Sequence, residues 1–175
     1  MCKLFSHNFN PFSVTSSSLV TKFLTCSSFY GTLKKDFPNS YCLADVKFVG
    51  EAQTVDKYPL IVASRFNIPY LLGAKGVGNQ IGGEVYDVTD CQLKVLDTLE
   101  RYPEFYNRIE IPIELAIDCK VISCSTYVLD RYKDSLLQCK MLKSYSRESS
   151  MHYVKPCDRS TQTTDHRDDV MDYSK

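Results

Sequence analysis

The sequence has no surplus of either charge: Lys and Arg together number 21, as do Asp and Glu. A duplex-binding module neutralises phosphates with a basic excess, so this balance argues against nucleic acid as a partner. Long apolar runs are missing as well. No stretch approaches the ~20 residues of a spanning helix, and no integral membrane protein is expected. Metal-ligand spacing is absent: the 8 cysteines form no Cys-x-x-Cys, Cys119 and Cys124 are the one close pair, and His7, His152 and His166 are scattered. No metal or cofactor is expected from such a set. There is no Gly-x-Ser-x-Gly elbow, and Gly73-Ala74-Lys75-Gly76-Val77-Gly78 lacks the phosphate-loop pattern and reads as a turn.

What is present suits one domain with tails: 175 residues, 43% hydrophobic and 24% charged. A chain of this length buries a core without staples, so the thiols are expected dispersed and reduced and the protein cytoplasmic. Residues 1–28 are Ser/Thr-rich and free of acid, and Lys22 interrupts their most apolar piece, Leu19 to Phe29. They lack the continuous apolar region of a secretory signal and are expected to form a flexible leader, with a weak likeness to a transit peptide. The ordered domain is expected over 29–156, followed by a disordered tail at 157–175.

Strands are read at Lys22–Tyr30, Val46–Val55, Tyr58–Ala63, Ile81–Val88, Ile109–Leu115 and Lys120–Leu129, with a short helix in Tyr132–Leu142. The clearest helix runs from Cys91 to Arg101, capped by Thr89 or Asp90 and closed by Pro103. Leu93, Val95, Leu96 and Leu99 are taken as its apolar stripe. This order of elements predicts an α+β fold, a small mixed β-barrel or sheet with flanking helices.

Two features suggest chemistry. At about 100° per residue, Glu100 falls between Leu93 and Leu96 on the helical wheel, so a carboxylate sits at the edge of the buried face. Burial either raises its pKa or demands a partner such as Arg108. The second feature is Tyr30-Gly31-Thr32-Leu33, directly after a strand. Gly31 there can let the backbone turn and present successive N–H groups to an anion or a developing oxyanion, or the segment is a plain strand-end turn.

Taken together, several segments resemble the γ-glutamylcyclotransferase superfamily, most of all its γ-glutamylamine, AIG2-like branch. They are Tyr30-Gly31-Thr32-Leu33-Lys34-Lys35 with Pro38-Asn39, Tyr58-Pro59-Leu60, Asn67-Ile68-Pro69-Tyr70-Leu71-Leu72, and Gly83-Glu84-Val85-Tyr86. The last leads into Leu96-Asp97-x-x-Glu100-x-x-Pro103-x-x-Tyr106-x-Arg108. The resemblance covers about Phe29 to Pro156. It implies a compact mixed β-barrel with flanking helices and a cavity at one end. It also implies Glu100 as catalytic acid/base, Tyr30, Gly31, Thr32 and Leu33 as the substrate-binding loop, and no metal or cofactor. The implied reaction releases 5-oxoproline from a small γ-glutamyl substrate such as γ-glutamyl-ε-lysine. Other γ-glutamyl substrates, or a non-catalytic ligand-binding role, are the alternatives. Substrate choice is expected to lie with Asn67–Leu72 and the segment around Tyr145 and Tyr153. The oligomeric state is not legible.

Overall fold

The computed structural model describes residues 25–159 and 165–174. Seven strands and one α-helix carry the architecture: β1 Thr25–Phe29, β2 Lys47–Thr54, β3 Leu60–Ala63, β4 Ile68–Leu71, β5 Gly82–Val88, α1 Asp90–Leu99, β6 Asn107–Leu115 and β7 Val121–Val128. Five strands close into a barrel in the order β1-β5-β2-β6-β7, and β3 with β4 makes a separate antiparallel pair. All barrel pairings are antiparallel except the closing one, where β1 runs parallel to β7 with Ser27 opposite Ser125. The expected α+β barrel is therefore what the chain forms. Closure leaves the barrel strands no free edge.

Alternation along β6 shows why this sequence closes. Ile111, Ile113 and Leu115 point inward while Glu110, Pro112 and Glu114 do not. With Val85, Cys124, Val128 and the ring of Tyr145, they fill the barrel interior. In β5, Gly83 is required by close approach. A Cβ there would lie 2.4 Å from the Tyr30 ring and 2.6 Å from the Phe29 carbonyl oxygen. Its absence lets the end of β1 and the start of the next loop lie flat on β5.

Most of the expected leader lies outside the described residues, but Thr25–Ser28 do not behave as a leader: they are barrel residues of β1. This strand is polar, with Ser27 and Ser28 both buried. Ser28 accepts a hydrogen bond from the Tyr30 hydroxyl at 3.1 Å, and its carbonyl accepts one from Thr126 Oγ1 at 3.0 Å. A disulfide between Cys26 and Cys124 adds a covalent tie across the same β1–β7 seam, over a sequence separation of 98. The expectation of dispersed, unpaired thiols fails for this pair. Barrel closure sets the two residues side by side, and nothing in their spacing announces it.

The tail expectation also needs correction. Asp165–Ser174 is part of the fold, with Val170 and Met171 buried at 0% and 3% exposure. They join Ile61, Tyr70, Leu72, Phe105 and Leu129 in a second core beside the β3–β4 pair. Backbone bonds from Lys133 N–H to Val170 and from Asp172 N–H to Arg131 fix the segment, and a bidentate Arg65–Asp169 pair clamps it. Two apolar residues in a polar stretch are enough to dock it, because Phe105, Leu129 and Leu136 offer them a ready apolar surface. Among the described residues no helix is long and apolar enough to cross a membrane. The short helix read in Tyr132–Leu142 is a 3-10 turn at Asp134–Gln138.

Candidate functional site

Thr89 is the N-cap of α1: its side chain accepts from the Gln92 N–H, and Gln92 reaches back to the Thr89 N–H, a reciprocal capping box. The helix is shorter than read, ending at Leu99, so Glu100 is its C-cap. The stripe is also narrower. Leu96 is buried and Leu93 half-buried, whereas Val95 and Leu99 are 63% and 41% exposed. A ten-residue helix touching the barrel along one line needs only that line apolar, and Val95 is on the opposite side of the wheel from it.

The docking of α1 is set by charge as much as by Leu96. Arg108 of β6 donates to both oxygens of Asp97 at 2.7 and 2.8 Å, and the Tyr127 hydroxyl of β7 donates to the same carboxylate at 2.6 Å. The guanidinium also lies 4.9 Å over the Tyr102 ring. The partner expected for Glu100 is thus taken by Asp97. This leaves Glu100 with no ion-pair partner among the described residues. Burial raises its pKa from 4.5 to about 7. The C-terminal end of a helix, where carbonyl oxygens point outward, acts in the same direction.

Glu100 opens onto a cavity of about 280 Å³. Its walls bring the sequence-predicted residues together: Tyr30, Gly31, Thr32 and Leu33 from the loop after β1 line the same cavity as Glu100. The loop is held from behind. The Asn39 N–H donates to the Thr32 carbonyl at 3.0 Å, the Asn39 side-chain amide donates to Thr32 Oγ1 at 2.9 Å, and Lys34 N–H returns to Gly31. Among the described residues no group accepts from the N–H groups of Gly31, Thr32 and Leu33. They are left available at the cavity wall, the feature an anion or oxyanion needs. Gly31 achieves this without a left-handed backbone: its φ is not among the positive values. What its missing side chain provides is room for Pro69, whose Cγ would be 3.1 Å from a Cβ at this position.

Of the expected specificity walls, Ile68, Pro69, Leu71 and Tyr153 line the cavity. Tyr145 does not; it is fully buried inside the barrel. Tyr70 is also buried, behind the cavity, stacked on Tyr106 with ring centroids 6.3 Å apart. Tyr106 does line the cavity, and burial followed by the neighbouring Tyr70, Glu100 and Tyr153 holds its hydroxyl firmly protonated. Sequence reasoning missed Arg159, His166 and Arg167, which complete the wall. They lie in the stretch read as a tail, and only the buried Val170-Met171 pair could have signalled that it returns. No group of three His, Cys, Asp or Glu that could hold a metal occurs among the described residues.

A closed five-stranded barrel with an acid-bearing cavity at the end of its first strand defines a small-molecule site of recognisable class. The chain matches the family model of gamma-glutamyl cyclotransferase, AIG2-like, over residues 28–147, and it belongs to that family. Among similar proteins is the Drosophila melanogaster protein CG2811, which by name is assigned provisionally to the gamma-glutamylcyclotransferases. It is 38% identical over 146 residues, covering 81% of this chain and 90% of that one. Gamma-glutamylaminecyclotransferase B of Danio rerio is 32% identical over 148 residues, covering 79% and 78%. The crystal structure of an AIG2-like protein from Mus musculus superimposes with a TM-score of 0.73 at 29% identity, covering 78% of this chain and 99% of that one.

Proposed function

We propose that this protein is a γ-glutamylamine cyclotransferase, releasing 5-oxoproline and a free amine from L-γ-glutamyl amines such as γ-glutamyl-ε-lysine. The names of relatives such as the Danio rerio protein support this reading. The observation that carries it is the cavity-facing Glu100, raised to about 7 and without a counter-ion among the described residues. A structural carboxylate at the end of a short helix would be paired or solvated; this one is poised to exchange a proton near neutrality.

In the proposed reaction the substrate's α-amine attacks its own γ-carbonyl carbon. A C–N bond closes the five-membered lactam, and the C–N bond to the leaving amine breaks. Water is not consumed. The nucleophile is already part of the substrate, so the protein's work is to fold the glutamyl chain and move one proton. Glu100 accepts that proton from the attacking nitrogen and returns it to the departing one. The N–H groups of Gly31, Thr32 and Leu33 hold the substrate's α-carboxylate or the tetrahedral oxyanion. The cavity's size suits a small ligand of this kind. Leu33, Leu71 and Phe105 supply apolar wall to the cavity that Glu100 lines.

The test is 5-oxoproline release, read by mass spectrometry, from γ-glutamyl-ε-lysine, γ-glutamyl-alanine and glutathione. The wild type is expected to release it from the first, and Glu100→Gln to lose at least about a hundredfold, the scale of a lost general acid/base. Undiminished turnover in the variant would remove Glu100 from the mechanism. Inertness of the wild type toward all three would favour a binding protein.

A further inference from the structure

The family match ends at residue 147, yet the cavity wall does not. Tyr153, Arg159, His166 and Arg167 reach it from the carboxy-terminal segment. The charge they bring is lopsided. Arg167 is paired with Asp165, which also stands 4.0 Å from Arg101 and 3.3 Å from His166. Arg159 has no carboxylate within ion-pair distance among the described residues; its Nε donates to the Val154 carbonyl, and one Nη contacts the Tyr153 hydroxyl at 3.4 Å. Its guanidinium plane is braced 4.9 Å over the Phe66 ring and 5.8 Å from that of Tyr153. One carboxylate, Asp165, is thus shared by two arginines and a histidine, and Arg159 is left without one.

The surplus is felt by neighbouring groups. His166 is held below its ordinary pKa by burial first and then by Arg159, with Arg167 and Arg101 acting in the same sense and Asp165 alone opposing them. The region is therefore positive without any contribution from the imidazole. It is part of the same cavity as Glu100, because Glu100, Tyr106, Tyr153, Arg159 and Arg167 all line it. A braced, donor-rich guanidinium without a carboxylate partner, on the wall of a substrate cavity, is built for an oxyanion with planar geometry.

We propose that Arg159, seconded by Arg167, is a specificity-determining subsite that takes a carboxylate carried on the amine half of the substrate. The preferred substrates are then γ-glutamyl amines whose leaving amine bears a free carboxylate. This rests on the cyclotransferase reading for its reaction, but the carboxylate preference is a property of the cavity and can be measured without turnover. The docked segment at Asp165–Ser174 brings His166 and Arg167 to this wall, so its return to the barrel has a purpose at the site.

The experiment compares γ-glutamyl-ε-lysine with γ-glutamylcadaverine, which differs only in lacking the lysine carboxylate. The wild type is expected to favour the former by at least about tenfold in kcat/KM, the scale of one charged hydrogen bond, with the difference in KM. In Arg159→Gln the ratio should fall to near one, and Arg159→Lys should restore it in part. A ratio near one in the wild type, or an unchanged ratio in Arg159→Gln, overturns the proposal. Binding of both compounds is read in parallel by titration calorimetry on Glu100→Gln and on Glu100→Gln/Arg159→Gln. Carboxylate-dependent binding without any 5-oxoproline release from the wild type would sink the cyclotransferase reading alone. Equal binding of the two compounds, or binding of neither, would sink the subsite.

Discussion

Replacing Glu100 by Gln should stabilise the protein increasingly as pH rises from about 4.5, with the full effect reached above neutrality. In the folded chain the carboxyl group titrates at about 7, against 4.5 for the ordinary value. A carboxyl raised on folding binds its proton more tightly in the native state. Stability is therefore greatest below about 4.5 and is lost as pH rises toward 7. At about 1.4 kcal/mol per pH unit, the full loss over this shift is about 3.5 kcal/mol. This is an upper figure, because the residue is half-buried rather than sealed. Gln fills the same space and never ionises, so the variant escapes the loss. For a chain of this size, 3.5 kcal/mol corresponds to roughly 7–14 °C in Tm. Thermal unfolding of both proteins should give curves that nearly coincide at pH 4 and separate by several degrees at pH 8.5, the variant being the more stable. Comparing the two at each pH cancels every other titrating group. Equal Tm differences at the two pH values would refute the idea that burial raises this carboxyl group. A variant less stable than wild type at pH 8.5 would mean that Glu100 has an ion-pair partner in solution.

Two other perturbations test the parts that position the site. Cys26→Ser/Cys124→Ser removes the tie between β1 and β7 and should cost about 2–4 kcal/mol, read as a lower Tm in denaturant or heat; wild type in reductant should move the same way, and no change in either would argue against the bond. Asp97→Asn breaks the Arg108 fork and weakens the Tyr127 contact, and should cost about 1–3 kcal/mol while lowering 5-oxoproline release, because the same helix end carries Glu100; full activity would show that α1 is held by Leu96 alone.

The barrel was legible because its strands alternate: Ile111, Ile113 and Leu115 declare an inner face, and the tight step at Gly83 belongs to a strand leading out of a turn. Thr89 and Gln92 likewise mark the start of α1 by local chemistry alone. Placement of Glu100 followed from helical geometry, since the wheel set it beside Leu93 and Leu96 even though Val95 and Leu99 were wrongly added to that face. Long-range pairing was not legible. The sequence reading offered Arg108 to Glu100, and only the fold awards it to Asp97. Cys26 meets Cys124, and Val170 meets Phe105, through closure of the barrel and return of the chain, events with no local signature. For that reason the cationic wall at Arg159 and Arg167 was missed while the Tyr30–Leu33 wall was not.

The central claim is that one cavity-facing carboxylate carries the proton of a lactam-forming reaction. The pH dependence of kcat/KM for 5-oxoproline release from γ-glutamyl-ε-lysine tests it most directly, since that profile reports the free protein's essential groups. The account predicts a rate that climbs through a midpoint near the about 7 of Glu100 and a variant, Glu100→Gln, in which this limb is gone. A flat profile between about pH 5 and 8, or the same limb in the variant, would contradict it.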